Sequence, residues 1–474
     1  MFRLEGRGPL KRRAPPAGWS GVHYSEMMKI ATMFGMSNAA FFCLSLLFSG
    51  LLHGEVRALK GFTLIDGTGR PPVADSAMII DNGRIRWVGR TADLKVPTGA
   101  ETVDLSGKFV MPGIINLHGH LGNAVGLEQD PKLYTRQSVE NDLKTYASYG
   151  VTTMLSLGLD KDLIFDIRDQ QRKGRPSIAR VYTSGLGLVF KGGFGGGISL
   201  PGVPSPMIGE VKDVEPAVAE QARKNVDCIK FWTDDNYGTA KRMPYDISKA
   251  IVESAHKHGL PAIAHVFYLD DAQHLADDGI DALAHSVRDK QVDSALIDSM
   301  KRHGTWLAAP TLSREYALFA YAKDPKLAVD PFLTRSLPPD IAKTIASPEY
   351  RQKAASDPHI DNYPRTLATA QKNLKALSDA GVHYGMGTDT GVPGRFQGYF
   401  EHVEMELMVG AGLTPMQVIV AATKSGAEFL KAKDLSTLEA SKWADLIVLG
   451  ANPLSNIRNT RTIEAVYIAG NKVH

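Results

Sequence analysis

The chain has 474 residues, 43% of them hydrophobic and 22% charged, an ordinary globular balance that allows a large buried core. Its formal net charge of +3 is carried by residues 1–29, where Arg3, Arg7, Lys11, Arg12, Arg13 and Lys29 outnumber Glu5 and Glu26; the remainder is close to neutral and gives no support for a nucleic-acid surface. The two cysteines, Cys43 and Cys228, are too few for a thiolate zinc site, and a mature chain that has lost the first has no internal disulfide.

Residues 1–54 read as an N-terminal extension that contains a signal peptide. Lys29 precedes an apolar stretch with Ala39–Leu47 at its centre. The implied location is periplasmic or secreted; an uncleaved membrane anchor and a buried core helix are the alternatives. The basic, Pro/Gly-rich residues before Met27 are explained if translation starts at Met27 or Met28. Arg12-Arg13 lacks the continuation of a twin-arginine signal, and Ala40-Phe41-Phe42 lacks the small residue that lipoprotein processing needs beside Cys43.

From Val56 to about Val110, short alternating runs are separated by turns: Phe62–Asp66, Ala77–Ile80 and Ile85–Val88, with Asp81-Asn82-Gly83 as a hairpin signal between the last two. The last stretch repeats the style in Ala444–Leu449 and Ala465–Ile468, followed by a Gly470-Asn471 turn. Residues 55–110 and 436–474 are therefore expected to build one β-sandwich domain. Between them, residues 111–435 alternate short apolar runs with amphipathic helices, the α/β rhythm of a (β/α)8 TIM-type barrel. Its strands are expected at Gly113–Leu117, Val151–Leu155, Ala179–Thr183, Val226–Phe231, Pro261–Ala264, Ala282–Ala284, Trp306–Ala309 and Val382–Gly387. The interval Thr311–Ala380 is too long for a simple connection. It reads either as a helical cover over the active site or as a surface insertion.

Residues able to bind metals fall in a pattern. His118 and His120 alternate at the end of the first barrel strand, so their rings share a face. Lys230 lies at the end of the fourth strand, and His265, His285 and Asp389 follow the fifth, sixth and eighth. That rim is where barrel enzymes place their catalytic groups. Singly, each residue has an ordinary structural reading; together, six at strand ends are hard to ascribe to chance. His256, His258 and His274 lie on helical stretches and keep the ordinary reading.

With Phe109–His120, Ile229-Lys230, the two lone histidines, Gly387-Thr388-Asp389, Glu404–Pro415 and Trp443–Leu449 in view, the chain resembles the amidohydrolase superfamily. It is similar in style to the branch containing imidazolonepropionases and metal-dependent Xaa-Pro dipeptidases. The resemblance implies two divalent ions, zinc first among the candidates. His118, His120 and Asp389 would hold one and His265 and His285 the other, with Lys230 bridging them as N6-carboxylysine. It also implies hydrolysis by a hydroxide shared between the ions, with Asp389 as general base and then acid. The expected reaction is cleavage of an amide C–N bond in a dipeptide or N-acyl amino acid. The alternatives are a cyclic amidohydrolase, a lactonase or phosphotriesterase, and a non-catalytic scaffold. After the third strand this branch carries a Thr-Gly-Gly-His-Gly stretch, whereas here Gly185–Gly197 has Phe194 near the histidine's place. That loop lacks the Gly-Lys-Ser/Thr ending of a phosphate cradle. Tyr237 and Arg395 are placed to meet a substrate carboxylate, and His402 to lie near the site. The expected partners are a small-molecule substrate and further copies of the chain in a homo-oligomer.

Overall fold

The structure, a computed structural model, describes Val56–His474. The signal-peptide or anchor reading of residues 1–54 lies outside the described residues, among which no helix is long and apolar enough to cross a membrane.

Arg57–Leu64 (β1), Val73–Asp81 (β2), Arg84–Arg90 (β3), Glu101–Asp104 (β4) and Phe109–Pro112 (β5) come first. The predicted hairpin forms: β2 and β3 pair antiparallel up to Asp81 and Arg84. Asn82 and Gly83 turn the chain at φ 50° and 80°, the geometry that two-residue hairpins demand. Then follow Ile114–Gly119 (β6), Val151–Ser156 (β7), Arg180–Thr183 (β8), Ile229–Trp232 (β9), Ala262–His265 (β10), Ala282–Ala284 (β11) and Trp306–Ala309 (β12). Leu446–Leu449 (β13), Ile463–Ile468 (β14) and Asn471–Lys472 (β15) come last.

The strands flanking the parallel set do meet in one sheet, in the order β15-β14-β13-β5-β1-β2-β3, with β4 beside β1. Two facing sheets were expected; the pairing makes one eight-stranded mixed sheet. The reason is β5, which pairs with β1 along one edge and with β13 along the other and so joins the two groups. Leu59, Phe62, Met78, Ile80, Val110 and Leu446 from these strands share a separate apolar cluster.

Strands β6–β8 pair in parallel in one set and β9–β12 in another. Helices connect them. The helix after β9, α1 (Tyr245–Lys257), buries Ile247, Ile251, Val252 and Ala255, a spacing that lines one face. The helix after β11, α2 (Ser294–His303), begins with Asp293 accepting from Leu296 N and ends at Gly304 in the left-handed conformation. Between the two sets, single hydrogen bonds replace regular pairing: Asp227 N donates to Thr183 O and Leu188 N to Lys230 O, both at 2.8 Å.

The eighth strand expected at Val382–Gly387 is not a regular strand. Leu307 N donates to His383 O at 2.9 Å and Leu117 N to Met386 O at 2.8 Å, so the segment lies between β12 and β6. Its glycines allow a close approach that a side chain would prevent: a Cβ on Gly387 would lie 2.6 Å from Ala309 Cβ and 2.9 Å from His118 N.

The Thr311–Ala380 interval is helical. It comprises α3 (Leu312–Lys323), short helices between Pro331 and Ala355, and α4 (Tyr363–Asp379). Tyr321, Leu333 and Ile345 pack there against Phe396 and Phe400. Its first residues reach the site described next, so it is more than a surface insertion. Helix α5 (Tyr399–Gly410) follows the Asp389 segment.

Candidate metal centre

Strand β6 delivers His118 and His120 together, their ring centroids 5.5 Å apart and edge to face. From there the rings run on without a break: His118 to His285 at 4.7 Å, and His285 to His265 at 4.2 Å. Asp389 Oδ1 lies 2.7 Å from His120 Nε2 and 3.5 Å from His118 Nε2. Ligand atoms of His118, His120 and Asp389 all fall within 4.8 Å of one another. Lys230 ends in the same region, fully buried, with its Nζ 5.5 Å from the Trp232 ring centroid. His285, Thr311 and Asp389 take left-handed backbone at φ 78°, 55° and 60°, rare for residues with a Cβ and typical of functional sites. The Thr311 hydroxyl holds His285 Nδ1 at 2.8 Å.

The six side chains predicted to converge thus lie in one neighbourhood. Four of their buried nitrogens, His118 Nδ1, His120 Nδ1, His285 Nε2 and Lys230 Nζ, have no hydrogen-bond partner among the described residues. An unpaired buried polar atom costs about 1–3 kcal/mol, so their concentration around one site marks it as functional. Imidazole nitrogens with a carboxylate are a donor set that fits a divalent transition metal.

Electrostatics favour the same use. Burial, reinforced by the nearby Lys230, holds His118 well below the ordinary histidine pKa. Burial also brings His265 to about 4 and Lys230 down to about 7. Neutral imidazoles are the form that binds metal. Burial would raise the Asp389 carboxyl, but Arg395 and the histidines outweigh it and hold the group well below the carboxylate range.

Several partners were not legible as ligands. Asp234 Oδ2 lies 2.8 Å from His265 Nε2. Asp389 Oδ2 accepts from Arg395 Nη1 at 2.5 Å and forms an ion pair with Arg314, whose Nε lies 2.9 Å away. Arg314 also pairs with Glu315, which takes Arg288 Nε at 3.1 Å. Helix α5 braces the cluster from behind. Glu401 Oε1 accepts from Asn116 Nδ2 at 2.7 Å and from the Thr388 and Thr390 hydroxyls, both at 2.8 Å. Asn116 Oδ1 in turn accepts from His118 N at 2.9 Å. Glu404 accepts from Leu312 N and Ser313 N at the start of α3. Asp234 follows Lys230 on the same rim and matched the strand-end rule. The other groups are set by how distant segments meet.

A cavity of about 390 Å³ opens over the histidines, and Arg395 lines it, together with Arg314, Phe194 and Trp232. Two other expected contacts do not line it. Tyr237, carried on a left-handed turn with Asn236, stacks on His359 at 4.7 Å and borders a neighbouring cavity of about 190 Å³ with Arg288. His402 is a correction: its Nδ1 meets the Thr460 hydroxyl and its Nε2 the Tyr149 carbonyl, each at 2.9 Å. Helical rotation by one residue turns it away from the side that Glu401 presents to the site.

Residues 109–473 match the model of the amidohydrolase family, and the chain belongs to that family. An uncharacterized protein of Mycobacterium bovis is 27% identical over 257 residues, 52% of this chain. The chain thus spans 60% of the length of the curated relatives it first matches. A solved structure described as a prolidase of Bifidobacterium longum superposes with a TM-score of 0.69 at 25% identity, over 88% of this chain and 94% of that one. A Xaa-Pro dipeptidase with bound methionine in its active site superposes with a TM-score of 0.68 at 21% identity, over 88% of this chain and 99% of that one, a likeness of fold.

Proposed function

We propose that this protein is a binuclear metal-dependent hydrolase that cleaves the amide bond of a dipeptide or N-acyl amino acid. The observation that carries the reading is the convergence of His118, His120 and Asp389, whose ligand atoms lie within 4.8 Å of one another, with the buried His285 and Lys230 beside them keeping unpartnered nitrogens. In this reading β6–β12 and the Val382–Thr390 segment close a (β/α)8 barrel, and the site sits at the strands' C-terminal ends.

His118, His120 and Asp389 would hold one divalent ion and His265 and His285 a second. Lys230, carboxylated on Nζ by CO2, would lie between them; zinc suits this donor set. Bound there, the pair of ions would lower the pKa of a water and polarise the scissile carbonyl. Burial supports the carboxylation, because an amine brought to about 7 is partly neutral at physiological pH and can attack CO2, releasing a proton. Asp234 accepts from His265 and fixes its ring, as a carboxylate behind a ligand histidine does.

Asp389 is ionised at neutral pH and takes a proton from the attacking water. As the water oxygen bonds to the acyl carbon and the C–N bond breaks, Asp389 passes the proton to the leaving nitrogen. The products are a carboxylic acid and an amine. Arg314 and Arg395 hold Asp389 Oδ2, which leaves Oδ1 toward the histidines.

The test is metal analysis of the purified protein with a hydrolysis screen of dipeptides, N-acyl amino acids, lactones and phosphotriesters. Near two equivalents of metal and turnover of amides are expected. Turnover confined to lactones or phosphotriesters would overturn the assignment to amide bonds.

A further inference from the structure

Trp232 lies two residues beyond Lys230 on β9 and so shares its side of the strand. Its indole sits in a slot made of glycines. A Cβ on Gly158 would lie 2.4 Å from the ring, one on Gly187 2.3 Å and one on Gly195 2.3 Å. Gly158 follows β7, while Gly187 and Gly195 belong to the loop after β8. Two separate segments therefore lack side chains where the indole lies. The ring is almost fully buried, at 7% exposure, and borders the cavity above the histidines. Phe194 stands beside it, edge to face with His265 at 5.6 Å. Leu159 and Leu200 add apolar surface to the cavity lining.

The Asp389 side is the chemical opposite. Arg314 and Arg395 share one carboxylate oxygen, and their side chains keep 14% and 18% exposure. Both guanidiniums line the cavity, and each carries more N–H donors than its pairing with Asp389 uses, so the pair is suited to a further carboxylate.

We propose that the substrate is an N-acyl amino acid whose acyl group carries an aromatic ring or an equally bulky apolar body. Trp232 with Phe194 binds that group, and Arg314 with Arg395 binds the amino acid's carboxylate. The inference rests on the amide-hydrolase reading. It orients the scissile bond, because the leaving nitrogen must face Asp389, which places the acyl substituent on the Lys230–His265 side. Trp232 is then a specificity-determining residue, and the glycine slot is what lets an indole stand there.

The experiment compares N-phenylacetyl-L-alanine, N-acetyl-L-alanine and N-phenylacetyl-L-alaninamide on the metal-loaded protein. Aromatic packing and buried apolar area together set a phenylacetyl preference of about tenfold or more in kcat/KM. Loss of charge-assisted bonds sets an acid-over-carboxamide preference of about tenfold or more. Trp232→Leu should bring the acyl preference within about threefold, and Trp232→Phe, which keeps a ring in the slot, should leave an intermediate ratio. Arg395→Met should erode the carboxylate preference. A wild type indifferent to the acyl group, or an acyl preference that survives Trp232→Leu, would overturn the proposal. A second readout needs no turnover. Phenylacetate added to the metal-loaded protein should change tryptophan fluorescence saturably, acetate should not, and Trp232→Phe should abolish the response. If no amide is cleaved by protein holding both metals, the amide-hydrolase reading fails by itself. The fluorescence result then decides the apolar subsite: a Trp232-dependent response upholds it and no response removes it.

Discussion

The terminal sheet and the rim of the parallel strands are packed under different rules. In the sheet, Leu59, Phe62, Met78, Ile80 and Val110 meet only apolar neighbours in their cluster, and its strands hold no buried side-chain nitrogen or oxygen without a partner. At the rim, His118, His120, Lys230 and His285 are as deeply buried, yet each keeps a nitrogen unpaired. Burial stabilises the first region and strains the second. A buried amine or imidazole with no partner is tolerated where a ligand is to supply one, and the sheet offsets the cost of keeping it.

Asp389→Asn gives the sharpest test of the contrast. It keeps the shape but puts an amide NH2 donor where a carboxylate oxygen stood, so it cannot accept the proton; kcat should fall by about 10²–10⁴-fold, and the thermal midpoint should drop with the lost ion pairs to Arg314 and Arg395. Steady-state kinetics and a melting curve measure both. Phe62→Ala is the converse. It should cost about 3–5 kcal/mol in urea unfolding while kcat/KM of the folded protein stays within about twofold. If it altered kinetics more than stability, the two regions would not be separable.

A smaller effect comes from Glu404, which burial raises to about 7. The folded state therefore keeps this proton up to about pH 7, whereas an unfolded chain releases it near the ordinary value of 4.5. Stability from this group is complete at acidic pH and is lost as pH rises from about 4.5 to 7, by an amount on the order of 3 kcal/mol. Urea midpoints of the wild type and Glu404→Gln at pH 5 and pH 8 measure it: relative to the variant, the wild type should weaken at pH 8. Equal pH slopes would contradict the raised value. The smallest expected effect is the most telling. In metal-free protein, Lys230→Met should stabilise the fold by about 1–3 kcal/mol, because it removes an unpaired buried amine. In metal-loaded protein the same change should lower the melting temperature by weakening metal retention. A loss in both states would mean that Lys230 serves the fold.

Much of the rim was legible because two independent signals coincide there: residue types that bind metals, and positions at the ends of short apolar strands. His118, His120, Lys230, His265, His285 and Asp389 carry both. Arg314 and Glu401 carry neither, since their roles depend on where α3 and α5 come to rest, which no local spacing records. His402 carried the residue type alone, and it binds the Tyr149 carbonyl. Alternation foretold the hairpin at Asn82 and the buried strands of both flanks. It records which face is covered and leaves open which edge pairs with which, so the single sheet through β5 was not foreseen. The segment at Val382 has the apolar content of a strand, but its glycines, required by close approach to Ala309 and His118, break the regular ladder.

The seam between β5 and β13, where Val110 faces Val448, has a consequence for biosynthesis. Strand β5 is translated hundreds of residues ahead of its mate, so until β13 emerges from the ribosome its edge is an open template beside an apolar surface. A nascent chain stalled or proteolysed before Leu446 would carry that sticky margin permanently, which makes truncated products of this protein candidates for aggregation even when every residue of the histidine cluster is intact.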